Sequence, residues 1–168
     1  YEPRFLNCMY GFRPNRGCHN AIKELYKSLN NTKICYIVDA DIKGFFDHMK
    51  HEWIIKFLHL YIKDPNIIGL VKKYLKVGVL DDGKLMLNEE GSAQGNIISP
   101  ILANIYMHNV LTLWYKFIIT KECKGDNFLI VYADDFVAGF QYKWEAENYY
   151  KLLKERMEKF GLQLENSK

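Results

Sequence analysis

Short runs of apolar and β-branched residues, bounded by polar residues and turn formers, predict the strands of this chain. The first run ends in acidic residues, and its apolar character indicates a buried strand that also buries the thiol of Cys35. A separate apolar stretch around Asp82-Gly83 has the turn chemistry of a β-hairpin. The predicted strands are residues 34–42, 128–132 and 136–140, a hairpin within 77–88, and a last short strand at 162–164.

Apolar residues at intervals of three and four predict the helices. In the first of them, Ile22, Leu25, Tyr26 and Leu29 share one face, which we expect to be the packed face. Ser99-Pro100 has the chemistry of a helix start, and the following apolar stretch predicts one long helix to about residue 120. The other predicted helices are residues 18–29, 52–62, 65–77 and 144–160.

The order of these elements predicts the fold class. A strand, several helices, a long helix, a β-hairpin, another helix and a last strand follow one another along the chain. Antiparallel strands with helices packed on one face form an α+β layer, and this order is compatible with a ferredoxin-like sheet.

Composition narrows the class of protein. The chain has 168 residues, of which 49% are hydrophobic and 15% aromatic, so it can form a core and is not a disordered protein. No apolar run approaches the ~18 residues that a membrane helix needs, and no membrane partner is expected. The four cysteines form no CxxC pair, which argues against a zinc ribbon, and a reducing cytoplasmic location is the default expectation.

Charge is distributed unevenly along the chain. Residues 1–80 contain 13 Lys and Arg against 7 Asp and Glu, whereas residues 81–168 contain 10 against 13. A basic first half suits a polyanionic partner, although a solvated charged surface explains it equally well.

Three carboxylates are candidates for chemistry. Asp41 ends the first predicted core strand, and Asp134 and Asp135 lie between the two strands of the later hairpin. If the hairpin lies beside the first strand, these side chains meet, and clustered carboxylates need a cation to offset their repulsion. Mg²⁺ held by carboxylates and substrate phosphates would then support phosphoryl transfer. Spacing alone leaves ordinary turn chemistry as the alternative.

Five sequence blocks, spread over nearly the whole chain, resemble those of group II intron-type reverse transcriptases and occur in the same order. Tyr-Ala-Asp-Asp at 132–135 resembles the YADD box, and residues 91–106, with their Gln-Gly and Ser-Pro steps, resemble the block that precedes it. Residues 41–47 (DIKGFFD) resemble the block of the first catalytic aspartate. The remaining two blocks are YGFRPNRG at 10–17 and the start of a later block at 161–168.

The resemblance implies a polymerase palm with part of the fingers. By this analogy residues 1–33 are the C-terminal part of the fingers and residues 34–168 are the palm, with 51–90 a helical and hairpin insertion bordering the fingers. It implies RNA-templated DNA synthesis from deoxynucleoside triphosphates with two Mg²⁺ ions. The partners would be an RNA template, a DNA primer and, in the complete enzyme, intron RNA.

The resemblance also assigns roles residue by residue. Asp41, Asp134 and Asp135 are the implied catalytic carboxylates and metal ligands, with Asp135 the least certain of them. The backbone of Ile42 and Lys43 would lie near the incoming triphosphate.

Four further residues are implied to contact the nucleotide. The pair Phe45-Phe46 would include the ring that excludes a ribose 2′-hydroxyl. Phe46 is favoured, because one of two neighbouring residues normally faces the core. Gln94 and Gly95 would contact the nucleotide, since an amide both donates and accepts and glycine permits close approach.

Arg13 and Arg16 are candidates for template or phosphate contacts, since guanidinium groups match phosphate oxygens. The alternative for each is a pairing within the protein. Lys168 aligns with a lysine that could lie near the triphosphate.

Two other classes of function remain open on the sequence. One is a non-catalytic RNA-binding scaffold of the maturase type, and the other is a different Mg²⁺-dependent phosphoryl-transfer enzyme. Because the blocks for the rest of the fingers and for the thumb are absent from these residues, we expect the 168-residue segment alone to be nearly inactive and to self-associate.

Overall fold

An antiparallel β-sheet organises the part of the chain that the computed structural model describes, which is residues 1–76, 79–81, 84–86, 91 and 97–165. Within it, three strands pair in the order β1-β5-β4, and two short strands, β2 and β3, form a separate hairpin. The strands are β1 (Tyr36–Ala40), β2 (Val79–Asp81), β3 (Lys84–Met86), β4 (Asn127–Tyr132) and β5 (Asp135–Phe140).

Except for α2, which was not predicted, the helices lie in or next to the predicted segments. Their bounds are α1 (Cys18–Asn31), α2 (Phe45–His48), α3 (His51–His59), α4 (Pro65–Lys76), α5 (Ser99–Met107), α6 (Thr120–Glu122) and α7 (Lys143–Lys159). The predicted α+β class is confirmed. Asp82-Gly83, the expected hairpin turn, lies outside the described residues.

The predicted long helix from Ser99 changes its winding along its length. Two π-helical segments, His108–Thr112 and Tyr115–Ile119, follow α5 before the chain continues into α6. Side chains bond the carbonyls of this region: Asn109 Nδ2 donates to the Ile105 carbonyl at 2.8 Å, and Thr112 Oγ1 to that of His108 at 3.1 Å. These bonds help the wider turns keep their backbone groups paired.

The strand register places the three candidate carboxylates at one end of the sheet. Ala40 of β1 lies opposite Phe136 of β5, and Tyr132 of β4 lies opposite Asp135. The last residues of β1 therefore lie beside the first residues of β5, next to the turn that joins β4 to β5. Sequence analysis expected this neighbourhood only on the condition that the hairpin lies beside the first strand.

The main core fills one face of the sheet. Alternate side chains of the three strands, including Val38, Ala40, Ala138 and Phe140, join residues of α3, α5 and α7 in one buried cluster. Tyr106 of α5 is fully buried and donates a 2.5 Å hydrogen bond to the Phe160 carbonyl after α7. The expected packing of helices on one face is thus present in the main core.

Helix α1 packs against part of the opposite face. Ala21 is buried against Ile130 of β4, with Leu25, Phe128 and Val137 packed beside them. The predicted apolar face of α1 is therefore only partly correct, because Ile22 and Tyr26 remain 57% and 71% exposed. The helix is rotated so that its smallest apolar residue meets the sheet.

None of the helices in the described ranges is long and apolar enough to cross a membrane.

Candidate active site at the end of the sheet

The three predicted carboxylates lie at the same end of the sheet. Asp41 directly follows β1, Asp135 begins β5, and Asp134 occupies the two-residue turn between Tyr132 and Asp135. Asp41 and Asp135 are exposed and Asp134 is half-buried, so all three are open to solvent. The side chains are accessible to a ligand approaching this end of the sheet.

Electrostatics links these carboxylates. The pKa of Asp135 is raised, first by partial burial and then by the negative charges of Asp134, Asp41 and Asp39. Asp39 is a carboxylate that sequence analysis missed. It is exposed two residues before Asp41, and the Asp-Ala-Asp alternation was the available signal, because residues two apart in a strand share a face.

The chain after Asp41 is fixed by the last described segment. The Asp41 carbonyl accepts a 2.8 Å bond from the Glu165 amide, and the Lys43 amide donates to the Gln163 carbonyl at 2.8 Å. The amide of Lys43 is therefore already paired. Its side chain is exposed and lines, with Lys154, an open groove of about 370 Å³.

The two neighbouring phenylalanines have different environments. Phe45 is 2% exposed and packs against Tyr106, with ring centroids 6.1 Å apart. Phe46 is half-buried and meets the Phe45 ring edge-on at 5.4 Å. Burial thus removes Phe45 from contact with a nucleotide and leaves Phe46 as the candidate for the ribose gate.

Gly91, which lies three residues before Gln94 in the sequence, is anchored by hydrogen bonds. The Gly91 amide donates to the Met49 carbonyl at 2.9 Å, and His51 Nε2 lies 2.5 Å from the Gly91 carbonyl. This contact was not predicted from the sequence. Gln94 and Gly95 themselves lie outside the described residues, as does Lys168.

The two arginines of the N-terminal loop bond within the protein. The buried Arg13 pairs with Glu2 at 2.7 Å and donates to the carbonyls of Leu6 and Met9 at 2.8 and 3.0 Å. Arg16 donates to the Asn7 carbonyl at 2.7 Å. Arg13 therefore has the internal role that was its alternative, and it is not positioned to contact a template.

The same N-terminal loop supports the turn that carries Asp134. The Tyr10 amide donates to the Val131 carbonyl, and the Val131 amide to that of Cys8, each at 2.8 Å. One residue further on, a Cβ atom on Gly11 would lie 2.3 Å from the Ala133 nitrogen. Ala133 has a φ of 59°, a left-handed conformation that costs a non-glycine residue about 1–2 kcal/mol. The backbone of the loop therefore packs directly against a strained turn.

The donor set suits a hard cation that also binds substrate. Among the described residues, no three His, Cys, Asp or Glu side chains form a group able to hold a metal ion by themselves. Mg²⁺ commonly takes one or two carboxylates and completes its shell with water and phosphate oxygens. Asp41 and Asp134 fit that requirement, and a bound cation would offset the charge that raises the Asp135 pKa.

Two solved telomerase structures share this architecture. The chain superposes on telomerase from Candida albicans, in complex with a fragment of telomeric RNA, with a TM-score of 0.74 and 14% identity, over 99% of this chain and 31% of that one. For apo telomerase from Candida tropicalis the values are 0.69 and 16%, over 94% and 34%. At this identity the likeness concerns the fold, which is that of a polymerase palm.

The family follows from the sequence comparisons. Residues 3–168 match the reverse transcriptase (RNA-dependent DNA polymerase) family, to which the chain belongs. It is 38% identical over 126 residues to the group II intron-encoded protein LtrA of Lactococcus lactis, covering 75% of this chain and 20% of that protein. A 91 kDa protein in a cob intron of Schizosaccharomyces pombe is 40% identical over 111 residues, covering 66% and 13%.

These relatives confirm the resemblance to group II intron-encoded reverse transcriptases. The chain spans a fifth or less of the length of the two relatives.

Proposed function

We propose that this chain is the palm, with part of the fingers, of a group II intron-type reverse transcriptase that copies RNA into DNA. The observation that supports this proposal most strongly is the register of the central sheet. Because Ala40 pairs with Phe136 and Tyr132 with Asp135, Asp41 and the Asp134-Asp135 pair meet at one end of adjacent strands. The domain boundaries proposed from the resemblance are 1–33 for fingers and 34–168 for palm, with 51–90 bordering the fingers.

In the proposed reaction, Asp41 and Asp134 would hold two Mg²⁺ ions, and Asp135 would add negative charge beside them. The ions would activate the primer 3′-hydroxyl and stabilise the leaving pyrophosphate oxygen. The protein's own task is to hold carboxylates at fixed positions, which the paired strands and the short turn support.

The nucleotide would lie beyond the end of β1. Phe46 is the proposed ribose gate, because its ring is half-buried and the residue follows Ile42 by four positions in the chain. Ile42 and Lys43 remain proposed neighbours of the triphosphate. Since the Lys43 amide is already paired, its side chain is the group we assign to the phosphates. Gln94 and Gly95 complete the proposed pocket.

The partners proposed for the complete enzyme are an RNA template, a DNA primer, deoxynucleoside triphosphates and intron RNA. A relative named for RNA processing, nuclear intron maturase 1 of Arabidopsis thaliana, is 25% identical over 56% of this chain. A scaffold function that binds RNA without synthesis is the competing proposal, and it needs no carboxylates at the end of the sheet.

Asp134→Asn in the natural polypeptide that contains these residues separates the two functions. The substitution keeps the shape of the side chain and removes its charge. We expect primer extension on an RNA template to fall by about 10²–10³-fold, the scale of other charge-stabilising groups, with RNA affinity unchanged. Unchanged synthesis would refute the polymerase assignment.

Asp64→Asn is the matched control. Asp64 is an exposed residue before α4 whose carboxylate accepts a 2.8 Å bond from the Asn66 amide, and asparagine caps helices equally well. Synthesis by this variant should equal that of the unmodified protein.

A further inference from the structure

A buried asparagine on α5 connects that helix to the loop behind the Asp134 turn. Asn104 is 1% exposed, and its Nδ2 donates a 2.8 Å hydrogen bond to the carbonyl of Gly11, 93 residues away in the chain. Its Oδ1 has no hydrogen-bond partner within the described residues. A buried amide oxygen without a hydrogen-bond partner costs free energy. Packing of the core alone therefore does not explain an asparagine at this position.

The position of Gly11 is set from two sides. On one side the Asn104 amide holds its carbonyl. On the other, the space where a Cβ would lie is filled by the Ala133 backbone, at 2.3 Å from the nitrogen and 3.0 Å from Cα. The Gly11 peptide is thus held between α5 and the turn, and it has no room to move toward the turn.

The turn needs such support. Ala133 is 6% exposed and adopts a φ of 59°, and a strained conformation persists only where its surroundings fix it. The next residue is Asp134. A shift of the Gly11 peptide would release the Ala133 backbone and with it the direction of the Asp134 carboxylate.

We propose that Asn104 is a positioning residue, which fixes the Asp134 carboxylate for metal binding by holding the Gly11 carbonyl against the Ala133-Asp134 turn. This inference rests on the proposed function, because it assigns to Asp134 a metal that the polymerase reaction requires. Asn104 acts on the metal only through the backbone of Gly11 and of the turn. The property that Asn104 would change is the affinity of the site for its cation.

The test measures cation affinity by titrating Mn²⁺ into the natural polypeptide and following the electron paramagnetic resonance signal of free Mn²⁺. Asn104→Leu keeps the volume and removes the donor. Loss of support for a metal ligand typically costs 10–100-fold in affinity, and we expect a loss of about 10-fold. If the leucine variant does not fold, the same titration is made with Asn104→Ser, because serine is too short to reach the Gly11 carbonyl.

Asn109→Leu is the matched control. Asn109 is a buried asparagine of the same helical region, 8% exposed, and its Nδ2 bonds the Ile105 carbonyl at 2.8 Å within the helix. It makes no bond to the Gly11 loop. Its replacement removes an equivalent buried bond, so a change in Mn²⁺ affinity confined to the Asn104 variants reports positioning and not general loosening.

A second readout separates positioning from instability. In primer extension, a merely destabilised protein loses amplitude, whereas a displaced ligand raises the Mg²⁺ concentration needed for half-maximal rate. We expect the Asn104 variants to show about a 10-fold rise in that concentration and Asn109→Leu to show none.

The outcomes distinguish the two levels of the proposal. If Asp134→Asn abolishes Mn²⁺ binding while both Asn104 variants bind as the unmodified protein does, the positioning role is refuted and the proposed function stands. Equal weakening by Asn109→Leu also refutes it. If Asp134→Asn itself leaves Mn²⁺ binding and synthesis unchanged, the proposed function has failed.

Discussion

Gly91 lies in direct contact with Asp47, so that a Cβ atom on Gly91 would be 2.8 Å from the Asp47 carbonyl oxygen and 3.0 Å from its Cα. This contact joins the block that contains Asp41 to the block that contains Gln94. The two are far apart in sequence, and each contributes residues to the proposed nucleotide pocket. Glycine readily adopts the φ of 84° found at Gly91, and because it has no side chain the backbone of Asp47 can come this close.

Gly91→Ala should therefore destabilise the protein. The new methyl group meets backbone atoms that cannot move aside, and the left-handed φ adds strain, for a total of about 1–3 kcal/mol. Urea denaturation measures the free energy of unfolding. Because Gly91 lies three residues before Gln94 in the sequence, we also expect the KM for deoxynucleoside triphosphates to rise.

Gly69→Ala is the control for Gly91. Gly69 is within α4, and nothing lies within 4 Å of the position its Cβ would take. Alanine there should stabilise the helix by about 0.5–1 kcal/mol. A Gly91→Ala variant as stable as the unmodified protein would contradict the described contact.

Phe46→Ala should relax discrimination against ribonucleotides. Removal of the half-buried ring opens space where a 2′-hydroxyl would lie, and we expect the ratio of ribonucleotide to deoxynucleotide incorporation to rise roughly 10-fold or more. Single-nucleotide incorporation kinetics measure this ratio. Phe45→Ala should instead lose about 3–5 kcal/mol of stability, because Phe45 is buried, with discrimination unchanged in the folded fraction. The reverse pattern would assign the gate to Phe45.

Arg13→Ala should act on stability and not on RNA binding. The guanidinium satisfies the Leu6 and Met9 carbonyls and pairs with Glu2, and its side chain is 5% exposed. Its removal takes one hydrogen bond from each of these carbonyls and the ion pair from Glu2, at a cost of about 1.5–3 kcal/mol. Arg4→Ala, at an exposed residue of the N-terminal 3-10 helix, should cost less than about 1 kcal/mol. Reduced RNA affinity with unchanged stability of Arg13→Ala would restore the template contact for which the sequence made Arg13 a candidate.

His108 should make stability fall on acidification. Its pKa is lowered to about 4, first by burial and then by the positive charge of Arg13, from an ordinary value of 6.5. Between pH 6.5 and 4 the unfolded chain binds a proton that the folded chain does not, so the free energy of unfolding decreases as the pH falls. The loss is at most about 3 kcal/mol.

The slope is measured by denaturation between these pH values. His108→Gln stays neutral throughout and should show a shallower slope, which separates this effect from titration of the carboxylates. Equal slopes for the two proteins would show that His108 does not carry the effect.

The 168 residues expressed alone should extend primers poorly or not at all. A palm by itself does not enclose a primer–template duplex, and the relatives are at least five times longer than the matched region. Exposed apolar side chains such as Ile97 at 94% and Leu70 at 55% should promote self-association, which light scattering detects. Processive synthesis by a monomer of this segment would contradict both expectations.

Much of the fold follows from local pattern in the sequence. Strands and helices arise where the apolar period is 2 or 3.6, so residues 127–140 and α7 lie within a residue or so of their predicted bounds. The Asp41 and Asp134-Asp135 candidates were found because motif order carries information about the family. That order states which residues matter without stating what each side chain touches.

Long-range contacts decided the rest. The sequence predicted a buried Cys35, which the structure exposes together with the first two residues of β1. It predicted that Ile22 and Tyr26 would pack, whereas Ala21 meets the sheet. In each case the local pattern was compatible with more than one rotation or end point, and packing against a distant element selected one.

The sequence by itself determined the class of protein, the order of its elements and the carboxylates proposed for chemistry, because these depend on residue type and spacing along the chain. Only the tertiary structure decided that Asp39 adds to the charge around Asp135, that Arg13 is internal and that Asn104 holds Gly11 against the turn. The physical reason is that burial and pairing depend on which distant residues the fold brings together, and no local period records that.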